Sequence, residues 1–297
     1  MLTINVRKTP KIDFMNKATF FIVMVLLLCS CIGNTKEICY YEEENISGSG
    51  FLFIIGGGSR PDYLMRSFIS LTNESAPNIL IIPFANQKSG QDQQAQFLRL
   101  GAGECEILSC AKEDIDKEEN LSKLSNIHAI FFTGGSQRLL AEYLNGTRFL
   151  DKIKEFYYER GGVIGGTSAG AAIMSKTMIT GKELRGETDN PKFISIEKGS
   201  VHTSEGFGFL ENIIIDQHFL YRKRLNRLFS ALLDNPGKRG IGIDESTAII
   251  VTPDATAEVI GESKVLVFEP GNSLSSDENF PKFKVLVLSS GDVYDLR

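Results

Sequence analysis
Three apolar runs in this chain each stop abruptly in glycine: FLFII before Gly56-Gly57-Gly58, IHAIFFT before Gly134-Gly135, and Val163-Ile164 before Gly165-Gly166. A short, unbroken apolar run bounded by turn residues is a strand covered on both faces, the kind that builds parallel sheets. Asn78 to Pro83 and Glu106 to Leu108 read as two further strands. Between the strands lie helical stretches at Asp62 to Leu71, Asp92 to Leu100, Arg138 to Asn145 and Phe149 to Arg160. Strands alternating with helices predict an α/β fold, a doubly wound and mostly parallel sheet with helices on both faces. From Glu258 onward, EVIGESKVLVF and KFKVLVLSSGDVYDL alternate in the manner of a C-terminal antiparallel β extension. Ligands of such sheets bind outside the carboxyl ends of the strands, so the glycine clusters converge on one crevice.

The third cluster carries chemistry. GGVIGGTSAGAAIMS, from Gly161 to Ser175, reads as strand, sharp turn and helix (Ala169 to Met174), with Ser168 at the apex of a G-x-S-x-G pattern. A turn this tight needs residues without a Cβ around the apex. A helix beginning just after the serine aims free N–H groups at an oxyanion formed beside Oγ. Taken alone, the pattern is equally a glycine-rich turn with an incidental serine.

A serine nucleophile needs a base and a group to orient it, and the chain has only three histidines. His128 lies inside an apolar strand and reads as structural. His202 lies in Thr180 to Ser204, an irregular stretch that reads as an exposed excursion over the site. His218 follows the apolar Ile213 to Ile215 at the sheet edge where Ser168 belongs, and Glu245 ends the strand Arg239 to Asp244. Tyr221 to Leu233 reads as a basic amphipathic helix bearing Arg222, Lys223, Arg224 and Arg227. The order Ser168, His218, Glu245 is not that of an α/β-hydrolase, which places its acid before its histidine. It matches folds of the class I glutamine amidotransferase type.

Four ordered motifs then resemble one family. GTSAGA around Ser168, FFTGGSQ ending at Gln137, DQHF followed by RKRLNRL from Arg222, and GIGIDE ending at Glu245 are similar to cyanophycinase and its aspartyl dipeptidase relatives. The resemblance implies Ser168 as nucleophile, His218 as general base and Glu245 as its orienting acid. It implies an oxyanion hole from the N–H groups of Gly135 and Ala169. It also implies a substrate pocket lined by Gln137, Asp216 and Gln217, with Arg222 and Arg224 on substrate carboxylates, a task that suits the guanidinium fork. Arg227 reads as solvated helix face. The implied substrates are cyanophycin, cut to β-Asp-Arg, or small aspartyl and isoaspartyl peptides. A non-catalytic surface binder of the same fold is the alternative from another class, and a homodimer is the implied assembly. Residues 177–205, without a residue-level match, would decide between polymer and dipeptide.

No metal-ligand cluster and no Walker or dinucleotide pattern is visible, so no cofactor is expected. The net charge of −5 gives no reason to expect a nucleic-acid partner. Residues 1–31 read as a signal peptide, with Met15 as the favoured start and an apolar FFIVMVLLL too short for a spanning helix of ~20 residues. Leu28-Cys29-Ser30-Cys31 resembles a bacterial lipobox, with Cys31 as the lipidated residue. An uncleaved anchor is the other reading. Residues 32–50 read as a flexible tether and 51–297 as the peptidase domain, exported and held at the bacterial membrane. Cys105 and Cys110 either pair or are buried as small apolar residues.

Overall fold
The glycine-terminated runs are neighbouring strands of one sheet. The computed structural model describes residues 50–183, 195–271 and 282–297; the signal peptide, Met15, Cys31 and all of the tether but Gly50 lie outside them. Phe51–Ile55 (β1), Ile79–Ile82 (β2), Cys105–Ile107 (β3), Ala129–Phe132 (β4) and Val163–Thr167 (β5) pair in parallel, in the order β1-β5-β4-β2-β3. Helices Asp62–Ser70 (α1) and Gly90–Arg99 (α2) cover one face, where Phe53, Phe68, Phe97 and Phe131 interlock with ring centroids 5.3 to 5.6 Å apart. After the short Glu118–Leu121 (α3) come Gln137–Leu144 (α4), Arg148–Tyr158 (α5) and Ala169–Ala172 (α6), which pack on the opposite face. Burial of each such aromatic contributes about 1.5–3 kcal/mol.

The stretch after the elbow, expected to be irregular and exposed, has strand structure in its described parts, with Ile179 and Val201 buried. Thr177–Glu183 (β6) and Val201–Glu205 (β7) form an antiparallel pair; residues 184–194 lie outside the described set.

A second sheet packs against the same face as α5 and α6. Ile213–Gln217 (β8) and Arg239–Ile243 (β9) run parallel within it, followed in space by Val265–Pro270 (β12) and Phe283–Leu288 (β13). Its Ile213, Ile215, Ile241 and Ile243 meet Leu52, Ile54, Ile130 and Ile164 of the first sheet. Thr247–Val251 (β10), Thr256–Gly261 (β11) and Val293–Asp295 (β14) extend the first sheet antiparallel beyond β1. The fold is thus α/β with additional antiparallel C-terminal strands. These strands are not one meander, because β12 and β13 leave the large sheet for the small one and β14 returns. Alternation marks a strand as one-sided and does not say which sheet it joins.

The basic helix also starts later than its composition implied, at Leu225 (Leu225–Asp234, α7). Lys223 has φ 54°, a left-handed conformation that no helix interior accepts, so Leu220 to Arg224 turn back on themselves. The N–H groups of Arg222 and Arg224 donate to the carbonyls of His218 and Phe219 at 2.9 and 2.8 Å.

Candidate active site
Ser168 has φ 54° and ψ −105°, a strained setting for a residue with a side chain. The surroundings impose it. The Ser168 N–H donates to the Ile55 carbonyl at 3.0 Å, while the chain reverses immediately into α6. A Cβ on Gly166 would overlap the Gly170 carbonyl, and one on Gly170 would overlap Phe132. Both glycines of G-x-S-x-G are therefore steric requirements. Ala169 begins α6, where a first-turn N–H has no intrahelical acceptor. The loop after β4 lies against the serine, since a Cβ on Gly134 would stand 3.4 Å from Ser168 Cβ, and Gly135 follows at φ 142°.

His218 and Glu245 come from the other sheet. Gln217 and Ile243 are paired in register, so the residues following β8 and β9 emerge side by side. Gly56 to Gly58 then join the two sheets. His218 N–H donates to the Gly56 carbonyl at 2.7 Å and Ser246 N–H to the Gly57 carbonyl at 2.8 Å, while Gly56 N–H, donating to the Thr247 carbonyl at 2.9 Å, continues the pairing of β1 with β10. The imidazole lies directly on Gly57, where any Cβ would overlap the ring, and a Cβ on Gly58 would stand 2.7 Å from Glu245 Cβ. This loop, which looks like a fragment of a phosphate-binding turn, is a seat for two side chains.

Ser168 Oγ lies 2.9 Å from His218 Nε2, and His218 Nδ1 lies 2.5 Å from Glu245 Oε1. A carboxylate can only accept, so Nδ1 carries the proton and Nε2 is the acceptor facing the serine hydroxyl. Burial pulls the His218 pKa below its ordinary value. The Glu245 hydrogen bond opposes that shift, and the charges of Arg222 and Arg224 add to it. The imidazole is therefore neutral at pH 7 and able to take a proton.

The remaining polar residues form a network beside this relay. Asp216 is 1% exposed and Arg227 4%; Arg227 Nε donates to Asp216 Oδ2 at 2.9 Å, and Nη2 donates to Oδ1. Asp216 Oδ1 also accepts the Gln217 N–H at 2.8 Å. Arg227 is thus a buried ion-pair partner rather than solvated helix face. Its i, i+4 neighbour is the buried Ala231, beside buried Leu228 and Leu232, a periodicity that places it inward. Asp216, expected to read substrate, has both oxygens engaged within the protein. Arg224 donates to the backbone carbonyl of Gln217 at 2.7 Å and to its side-chain oxygen. Burial first, then the neighbouring Arg227 charge, brings its pKa down to about 10, so it stays charged. Arg222 is exposed, and Gln137 donates to the Ile179 carbonyl at 2.9 Å, tying α4 to β6.

Asp244 has a part that was not legible in the strand GIGID. Its Oδ1 accepts the N–H groups of Leu220 and Tyr221 at 3.0 and 2.9 Å, and Oδ2 accepts Ser263 Oγ at 2.7 Å. It shapes the turn immediately after His218. The other two histidines bond elsewhere: His128 Nδ1 accepts the Asn78 N–H at 2.9 Å, and His202 Nδ1 lies 3.0 Å from Thr180 Oγ1. Cys105 and Cys110 are unpaired. Among the described residues no cluster of His, Cys, Asp or Glu is suited to hold a metal ion, and no helix is long and apolar enough to cross a membrane.

The family model of peptidase family S51 matches residues 52–259, a span containing the serine, the histidine and the glutamate. The chain belongs to peptidase family S51. S51 relatives include a cyanophycinase of Synechococcus elongatus, 32% identical over 264 residues that cover 84% of this chain and 80% of that protein. A cyanophycinase of Geminocystis herdmanii is 35% identical over 234 residues, covering 75% and 82%. The crystal structure of a peptidase from an acI-B1 Actinobacterium superposes with a TM-score of 0.60 at 25% identity, over 84% of this chain and 98% of that one. As an S51 member the protein is a serine-type peptidase.

Proposed function
We propose that this peptidase is a cyanophycinase, cutting multi-L-arginyl-poly-L-aspartate to β-Asp-Arg dipeptides through an acyl-enzyme. The observation that carries the reading is the unbroken contact from Ser168 through His218 to Glu245, in a chain similar to cyanophycinases over most of its length. Ser168 Oγ attacks the scissile carbonyl as its proton passes to His218 Nε2. The N–H groups of Ala169 and Gly135 receive the resulting oxyanion. Collapse breaks the amide bond, His218 returns the proton to the departing amine, and an ester remains on Ser168. Water, losing a proton to His218, attacks that ester; the carboxylic product leaves and the hydroxyl is restored. Glu245 keeps Nδ1–H aligned and stabilises the imidazolium of each step. Arg222 and Arg224 hold substrate carboxylates, and Gln217 is positioned through Arg224.

The test is incubation of the protein from Ile32 with purified cyanophycin, following dipeptide release by mass spectrometry. Release that falls at least ~10⁴-fold in Ser168→Ala supports polymer and nucleophile together. Hydrolysis of short isoaspartyl peptides alone would overturn the polymer reading in favour of a dipeptidase. Export with lipidation at Cys31 belongs to the same reading, an enzyme scavenging external peptide. It is checked by palmitate labelling that disappears in Cys31→Ala.

A further inference from the structure
The chain passes from the small sheet to the large one at Asp244 to Ser246, between β9 and β10, and back again at Glu262 to Lys264, between β11 and β12. The two crossings lie against each other. Asp244 N–H donates to the Lys264 carbonyl at 3.2 Å, Glu262 N–H to the Ser246 carbonyl at 3.0 Å, and Ser263 N–H to Thr247 Oγ1 at 2.8 Å. Ser263 adds a side-chain link, its Oγ donating to Asp244 Oδ2 at 2.7 Å. That bond decides how the Asp244 carboxylate is turned. Asp244 is buried, and with Oδ2 held by Ser263 its Oδ1 faces the N–H groups of Leu220 and Tyr221. The terminal torsion of an aspartate is broad when free; three hydrogen bonds to a charged acceptor narrow it.

What the carboxylate holds is the turn that carries Arg222. Arg224 is anchored by its own side chain on Gln217, and Arg227 on Asp216. Arg222 has no such anchor: it is exposed, and its side chain makes no hydrogen bond or ion pair among the described residues. Its reach is set by the turn alone, through its own N–H on the His218 carbonyl and the two N–H groups on Asp244. The guanidinium stands near the relay, since its charge is among those that lower the His218 pKa. The relay has separate supports, in the His218 N–H on Gly56 and the imidazole seated on Gly57. The turn can therefore be loosened while the relay stays in place.

We propose that Ser263, acting through Asp244, is a positioning residue for substrate binding: it fixes the turn after His218 so that Arg222 presents its guanidinium to a substrate carboxylate. The proposal rests on the reading of Arg222 as a holder of substrate carboxylates. A side chain on a loose turn must be ordered when substrate arrives, at a cost in affinity, whereas one on a braced turn is largely preset. Loss of the brace weakens binding and spares the chemistry.

Asp244→Ala strands two N–H groups and can unfold the protein, so the test uses Ser263→Ala in the full chain, with Ser263→Thr as the control that keeps the hydroxyl. Amide hydrogen exchange at Leu220 and Tyr221 should be about tenfold faster in Ser263→Ala and unchanged in Ser263→Thr. Steady-state kinetics are read on purified cyanophycin, or on a short isoaspartyl peptide where the polymer is inert. Ser263→Ala should raise KM about fivefold and leave kcat within about twofold, and Ser263→Thr should restore KM. In an Arg222→Gln background the same Ser263→Ala change should move KM by less than about 1.5-fold, because the residue being positioned is gone. Unchanged exchange, a fall in kcat in place of a rise in KM, or the full effect persisting in Arg222→Gln overturns the proposal. Cleavage of neither substrate by the wild type removes the proposed function and this role with it. Cleavage with a KM indifferent to Ser263 removes this role alone.

Discussion
At the scale of single residues, the strain at Ser168 is, on the proposed mechanism, a cost retained for chemistry. A side chain at φ 54°, ψ −105° costs about 1–3 kcal/mol, more than the 0.5–1 kcal/mol of chain entropy that glycine loses on folding. Ser168→Gly should therefore be about 1 kcal/mol more stable than Ser168→Ala by urea unfolding, although both are inactive. His218 gives a pH prediction with a definite sign. Its folded pKa lies below the ordinary imidazole value of about 6.5, so the active neutral form persists to lower pH and kcat/KM falls only below 6.5. Since Arg222 contributes to that depression, Arg222→Gln should move the acid limb upward in pH. The same sign makes the fold lose stability below 6.5, where the unfolded chain takes up the proton first. That Ser168, His218 and Glu245 would meet was readable because each follows the end of a strand at one edge. Asp244 was not, because a carboxylate that caps the next turn looks in sequence like the last residue of its strand.

At the scale of elements, α7 is attached to β8 by the buried ion pair of Arg227 with Asp216, and Arg224, just before the helix, lies 3.9 Å from the same carboxylate. Removing Arg227 takes from the buried Asp216 its close cationic partner and leaves Arg224 at 3.9 Å, a loss of the kind that costs about 3–5 kcal/mol; replacing both members of such a pair by apolar residues of similar volume is often neutral. Arg227→Met alone should thus destabilise the protein strongly, and Asp216→Leu with Arg227→Met should recover much of the loss in thermal unfolding. Activity tells a further story. Because the pair sits under Gln217 and Arg224, the double variant is expected to fold and yet show a raised KM. The helix itself was legible, but its start was not: a basic run continues helical periodicity through Tyr221 to Arg224, and only the contacts with Asp244 and the left-handed Lys223 cut it short.

At the scale of the whole molecule, the glycine-ended parallel strands announced the first sheet, whereas the second was invisible. Ile213 to Ile215 and GIGI read simply as further buried strands, and nothing in a one-dimensional pattern tells a new sheet from a continuation. The consequence reaches catalysis. On the proposed mechanism the atom that attacks is mounted on one sheet and the atoms that activate it on the other, and two short backbone hydrogen bonds, from His218 to Gly56 and from Ser246 to Gly57, tie the end of β1 to the segments that follow β8 and β9. Hydrolysis is therefore a gauge of docking. A misplacement of about 1 Å can cost 10²-fold in rate. In rising urea, activity should vanish at a concentration where far-UV circular dichroism still reports intact helices and strands. Coincident midpoints would mean that the sheets part only when they melt. With activity lost first, the seam acts as a fuse, sparing the fold while silencing a peptidase under stress.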